Sequence, residues 1–232
     1  MKKNYLYSMI LMLATMFVTS CENDSTEGLT FITYYPTLTL EGESIVTSPK
    51  GSPYQDPGYS ATLQGEDVTD QVEVTSNVNT NESGLYSVTY SITNADGFAK
   101  TASRQVLVVD PIDPIENLYV TTADSYRMSG ATKTVYGKSF YLYVLANGDG
   151  TYTINDMLGG YYDQRAGYGS AYAMVGTFTV AEDGTIEALS GDVAGWGDSM
   201  DYLEDGKYDA ATGTISWKVG YAGMDFYVTM NK

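Results

Sequence analysis

The chain has 232 residues, a formal net charge of −17, no histidine and a single cysteine. That charge excludes nucleic acid and anionic membrane surfaces as natural partners, and the missing histidine removes the commonest general base and metal ligand. Its 22 tyrosines and 24 glycines, with few long apolar runs, describe β-structure rich in turns.

The first element is a secretory signal over residues 1–20. Lys2 and Lys3 are followed by the apolar run Tyr5 to Val18 and the small pair Thr19 and Ser20. A spanning helix needs about 20 apolar residues, and this run is shorter, contains Ser8 and Thr15, and stops at Cys21. The tetrad Val18, Thr19, Ser20, Cys21 resembles the bacterial lipoprotein processing site, which implies that Cys21 is lipidated and becomes the mature N-terminus. Cleavage removes Lys2 and Lys3 and no acid, so −17 becomes −19. With no second cysteine, the exported chain must hold its fold without a disulfide. Residues 21–34 read as a polar tether that begins Glu22, Asn23, Asp24, Ser25, Thr26, Glu27. A similar acidic stretch accompanies display on the outer face of the outer membrane in lipoproteins of gut Bacteroidetes, and the resemblance implies that localisation here.

Residues 35–110 read as short strands with turn signals about every 8 to 12 residues, the pattern of a sandwich. The clearest strand is Leu85 to Thr93, with Tyr86, Val88, Tyr90 and Ile92 on one face. Asn94-Ala95-Asp96-Gly97 turns the chain and Thr101 to Val109 returns as its hairpin partner. Pro36, Leu38, Leu40 and Gly42, the turn Tyr54-Gln55-Asp56-Pro57-Gly58, Asp67-Val68-Thr69, Gly84-Leu85-Tyr86, and Arg104 before Val106 and Val108 together resemble the bacterial immunoglobulin-like domain first named from a pesticidal crystal protein. That resemblance implies a spacer or platform. Asp56, Asp67 and Asp96 sit at turns, where acids either cap their own backbone or hold calcium; capping is the favoured account.

Residues 111–115 form a stiff linker with Pro111 and Pro114. Residues 116–232 then offer about eight strands and no convincing helix, which predicts an antiparallel β-barrel or a curled sandwich, so the whole chain reads as all-β. Asn147-Gly148-Asp149-Gly150 is a hairpin signal, Met174 to Val180 and Ile215 to Val219 are one-sided strands, and Met224, Phe226, Val228 and Met230 close the chain. The blocks Asp149-Gly150-Thr151-Tyr152, Leu158 to Asp163, Arg165 to Gly169, Gly195 to Asp198 and Tyr221 to Met224 resemble a C-terminal β-domain of uncharacterised Bacteroidetes lipoproteins. The association of such proteins with polysaccharide utilisation implies glycan capture.

Two stretches are candidates for ligand contact. Gly159 to Tyr172 packs Tyr161, Tyr162, Tyr168 and Tyr172 with Asp163, Gln164 and Arg165 among four glycines; Tyr161, Tyr162, Tyr168, Asp163 and Arg165 are singled out as contacts. Flat aromatic faces stack on the C–H faces of sugars while the polar neighbours bond hydroxyls, although a glycine-rich loop pinned by tyrosines has the same composition. Trp196, between Gly195 and Gly197 and beside Asp198, is either an exposed ligand contact or a buried plug. The acidic run Asp192, Asp198, Asp201, Glu204, Asp205, Asp209 lacks calcium-loop spacing and reads as a solvated face. No metal or cofactor is expected.

Nothing supports catalysis: there is no reactive thiol beyond Cys21, no phosphate loop and no Gly-x-Ser-x-Gly elbow. The expectation is a non-catalytic, glycan-binding surface lipoprotein held by a lipid on Cys21. A subunit docking on an outer-membrane transporter is the alternative. A glycoside hydrolase working through two of the 29 acids is the weaker one.

Overall fold

The computed structural model describes residues 32–232, so the signal, Cys21 and most of the tether lie outside the described residues. Strands β1 (Thr37–Leu40), β2 (Ile45–Pro49), β3 (Tyr59–Leu63), β4 (Glu66–Asp67), β5 (Glu73–Ser76), β6 (Gly84–Thr93) and β7 (Ala99–Val109) form the first body. They make two sheets, ordered β1-β3-β4 and β2-β7-β6-β5. The hairpin β6–β7 keeps one register from Gly84↔Val108 to Thr93↔Ala99, and β2 adds to β7 in parallel. The alternation of β6 does the work expected of it: Val88, Tyr90 and Ile92 are buried, and the Ser and Thr between them pair across the outer face.

One residue in this core is charged. Arg104 is fully buried between the sheets, and its guanidinium donates to Asp56 Oδ1 at 2.6 Å, to the carbonyls of Glu41 and Gly58, and to Tyr90 Oη. Asp56 also accepts from the Gly58 N–H at 2.8 Å and from the Tyr90 hydroxyl, so this acid caps its own turn and neutralises the arginine together. Asp67 caps the Thr69 N–H at 2.9 Å. At the third turn it is Asn94, not Asp96, that receives the local N–H groups.

The join is clamped by Glu116, 2 % exposed, whose two oxygens accept the Asp110 N–H at 2.7 Å and the Ala146 N–H at 3.0 Å. Asp113 accepts from Ile115 and Glu116, while Tyr208 donates to the Pro114 carbonyl. Two prolines restrict the backbone, and these bonds fix what freedom is left.

Eleven strands form the second body: β8 (Asn117–Thr121), β9 (Tyr126–Ser129), β10 (Thr132–Val135), β11 (Tyr141–Ala146), β12 (Thr151–Ile154), β13 (Met174–Val180), β14 (Ile186–Val193), β15 (Asp198–Ser199), β16 (Tyr202–Asp209), β17 (Thr214–Tyr221) and β18 (Met224–Asn231). They belong to one antiparallel sheet in which β18 pairs with β8, β9 and β17. The sheet curls until β14 and β16 meet at the bridge Thr185↔Lys207 and the bond from the Tyr208 N–H to the Gly184 carbonyl. Of the two forms expected, the curled one is observed: no ladder joins β14 to β16, and the sheet is not closed into a barrel. Inward residues of every long strand form one core, including Leu142, Val144, Ile154, Met174, Phe178, Trp217, Phe226 and Val228. Burying each large apolar side chain contributes roughly 1.5–3 kcal/mol, whereas the Lys218–Glu204 pair is screened by solvent, so the core dominates. Among the described residues no helix is long and apolar enough to cross a membrane.

Candidate functional site

The most unusual local structure follows β12. Asp156 is fully buried, and its carboxylate accepts N–H groups from Leu158 at 2.9 Å, Gly160 at 2.9 Å and Met174 at 3.0 Å. Burial raises its pKa to about 7 against the opposing pull of those three donors. The turn it organises needs glycine. Gly160 has φ +82°, and a Cβ there would lie 2.8 Å from the Cβ of Phe140. Beyond it, Tyr161–Arg165 form a π-helical turn in which the Arg165 and Ala166 N–H groups reach back to the carbonyls of Gly160 and Tyr161.

Side chains leave this turn in different directions. Tyr161 points into the core, 5 % exposed, against Tyr136 and Phe226, each ring 5.3 Å away. Arg127 and Arg165 place their guanidinium carbons 5.0 Å from the centre of its ring. Arg165 also donates to the carbonyls of Tyr136 and Val135, so it braces the turn. Asp163 faces the junction between the domains. Of the seven residues expected to contact ligand, Asp163 and Arg165 therefore lie apart from the others, and Tyr161 meets them only from the core side, edge-on to Tyr162 at 5.0 Å. Tyr161 serves the core, and the wide π turn sends the two charged side chains elsewhere.

Tyr162, Tyr168 and Trp196 do come together. Trp196 sits on the bend after β14, where Gly195 donates to the Ala171 carbonyl at 2.6 Å. A Cβ on Gly195 would fall 2.7 Å from the Tyr172 ring, so glycine lets the bend approach the loop. The Trp196 ring lies 4.8 Å from Tyr162, 4.8 Å from Tyr172, 6.1 Å from Tyr168 and 6.2 Å from Tyr221. Tyr168, Tyr172 and Trp196 line a shallow hollow of about 330 Å³. Tyr168 and Trp196 remain 56 % and 41 % exposed, so the tryptophan is not a plug. Beneath the hollow, Tyr221 is buried and directs its hydroxyl toward Asp198 Oδ2 at 3.5 Å; burial and that carboxylate push the phenol up to about 12.

Tyr172, counted in the platform segment but not singled out as a contact, and Tyr221, not expected at all, also belong to the cluster. Tyr172 lies in the tyrosine-rich segment, and its role was legible from that; Tyr221 stands at the end of β17 and reaches the site through its contact with Trp196. Nearby acids are engaged locally: Asp192 accepts from Ser199, and Glu204 pairs with Lys218. Among the described residues no group of three or more His, Cys, Asp or Glu is placed to hold a metal ion.

An immunoglobulin-like body clamped to a curled antiparallel sheet, with an aromatic hollow on the latter, makes this a two-domain all-β protein. Residues 38–108 match the model of the bacterial surface protein Ig-like domain, and residues 108–232 match a family of C-terminal domains described as "-like, C-terminal domain". The chain belongs to the same family as the lipoprotein BT2262 of Bacteroides thetaiotaomicron. The crystal structure of BT2262 is 40 % identical, matching 85 % of this chain and 100 % of that one with a TM-score of 0.77. The CBM51-2 and INT domains of Clostridium perfringens ZmpB, solved in complex with GlcNAc, overlap 51 % of this chain and 31 % of that one at 18 % identity and a TM-score of 0.28, a level at which no shared fold follows. No curated protein matches the chain.

Proposed function

We propose that the protein is a non-catalytic lipoprotein, held through Cys21 at the cell surface on the outer membrane, whose C-terminal domain captures a carbohydrate chain on the hollow of Tyr168, Tyr172 and Trp196. The observation that carries the reading is the exposure of two large aromatic rings over a layer of aromatics, in a domain that buries its other tryptophan. Flat rings held this rigidly suit the C–H faces of sugars, and an open hollow suits a polymer that passes across it. Kinship with a lipoprotein and the sequence Val18 to Cys21 support the anchor; the surface-protein Ig-like domain supports display. The Ig-like body acts as a support.

The test is retention of the mature chain on gels cast with neutral plant, host and microbial polysaccharides. One polymer should retard the wild type, and Trp196→Ala should weaken that retention about thirtyfold, the usual scale for losing a central aromatic contact of roughly 2 kcal/mol. The variant should melt somewhat below the wild type because the ring packs on Tyr162 and Tyr172, so retention is compared at a temperature where both chains are folded. Mobility unchanged on every gel would refute glycan capture and assign the hollow to a protein partner.

A further inference from the structure

We infer that the cleft between the two domains is a second binding site, separate from the aromatic hollow, for a small ligand that carries a protonated amine among hydroxyl groups. The cleft has a volume of about 460 Å³, within the range of small-molecule sites. Its walls come from both domains: Ser44, Ile45, Leu85 and Gln105 on one side, and residues of β11, the π turn and β13 on the other.

Three features select the ligand. The first is Asp163, whose half-buried carboxylate accepts no hydrogen bond and meets no cation among the described residues. Other buried or half-buried acids are engaged, as Asp56, Asp113, Glu116 and Asp156 are with backbone N–H groups; this one faces a cavity. Leaving a half-buried acid unpaired is unfavourable, and burial raises its pKa, so an ammonium group entering the cleft would relieve both. The second is that the lining contains no lysine or arginine, so nothing in it competes for that carboxylate or attracts an anion. The third is the remaining polar set. Gln164 spends its amide N–H on the Tyr141 carbonyl and keeps its amide oxygen for the cleft, while the side-chain oxygen of Asn155 accepts the Tyr143 N–H and its amino group stays open. These neutral donors and acceptors, with Ser44 and Ser170, match hydroxyl groups better than they match an apolar molecule.

The position is held because the clamp at Glu116 fixes the domains on which both walls stand. The proposal does not depend on the hollow, since none of Tyr168, Tyr172 and Trp196 lines the cleft.

Calorimetric titration of the mature chain with the β-1,4-linked disaccharide of glucosamine, and with its fully N-acetylated form, tests the idea. The amine form should bind and the acetylated form should not. Asp163→Asn should weaken binding about tenfold or more while melting no lower than the wild type, because the native carboxylate makes no bond within the fold and its unpaired charge is a cost. Ser44→Trp, an exposed substitution on the far wall, should abolish it by filling the space, while Trp196→Ala should leave it intact. Affinity should fall as pH drops through the titration of Asp163. Equal binding of the two sugars, no heat with either, an Asp163→Asn variant that binds like the wild type, or loss of binding in Trp196→Ala would each overturn the assignment.

Discussion

Asp56→Ala destabilises the Ig-like domain by about 3 kcal/mol and lowers its melting transition while that of the C-terminal sheet stays in place. The cause is the stranded partner. Arg104 remains fully buried, its guanidinium loses the 2.6 Å bond to the carboxylate, and the Tyr90 hydroxyl and Gly58 N–H lose their acceptor. The three carbonyls that still accept from Arg104, those of Glu41, Glu43 and Gly58, neutralise no charge. Calorimetry of the mature chain reads the result directly. A paired replacement, Asp56→Leu with Arg104→Met, should recover most of the loss because it removes both charges together. An Asp56→Ala chain melting like the wild type would mean that water takes over the carboxylate's place. A pH effect accompanies the substitution. Burial alone would raise the pKa of Asp56, but the Tyr90 hydroxyl, the Gly58 N–H and Arg104 outweigh it and hold the carboxyl below its usual range. A depressed folded-state pKa contributes stability that is fully present above the unfolded value of about 3.9 and is lost as pH falls through the lower, folded value. Acid should therefore melt this domain in the wild type, and Asp56→Ala should flatten that limb.

Asp156→Asn acts on the other domain with the opposite sign of pH dependence. The folded-state pKa of Asp156 is raised to about 7, against about 3.9 unfolded, so the folded chain keeps a proton that the unfolded chain releases between those values. Stability contributed by this group is present below pH 4 and is lost as pH rises to 7. Asparagine removes the slope. It also presents an amino group where one oxygen now receives an N–H, so either Gly160 or the pair Leu158 and Met174 loses an acceptor, at a cost of roughly 1–3 kcal/mol. Because Asp156 shapes the entry to the π turn, the variant should also lose glycan retention while Trp196 is untouched. Denaturant melts from pH 4 to 8 decide the matter: a slope that persists in Asp156→Asn belongs to another group.

Strands with clean alternation could be read directly. β6, β17 and β18 show apolar residues at every second position, and Asn94 to Gly97 announces the β6–β7 turn. β8, β9 and β10 are harder to read because the apolar residues of Asn117 to Val135 do not alternate cleanly, and β8 and β9 are paired by β18 over 90 residues downstream. The same reason divided the site. Composition could collect Tyr161, Tyr162, Asp163, Arg165, Tyr168, Trp196 and Asp198 as a group. It could not show that a π turn would send Tyr161 inward and Asp163 toward the other domain, since a one-residue change in helical pitch redirects every side chain after it. Tyr221 stands at the end of β17 beside the tight turn Ala222-Gly223, so its strand was legible, but its contact with Trp196 joins segments 25 residues apart and leaves no local signal.

The chain has two tryptophans, and they live in different media. Trp217 is 3 % exposed and donates its indole N–H to the Met157 carbonyl at 2.9 Å, whereas Trp196 stands 41 % exposed on the rim of the hollow. The two indoles should emit at different wavelengths, the buried one toward the blue and the exposed one toward the red, and a water-borne quencher should reach only the second. The molecule thus carries an optical reporter placed at its candidate site, with an internal reference of the same chromophore sealed in its core.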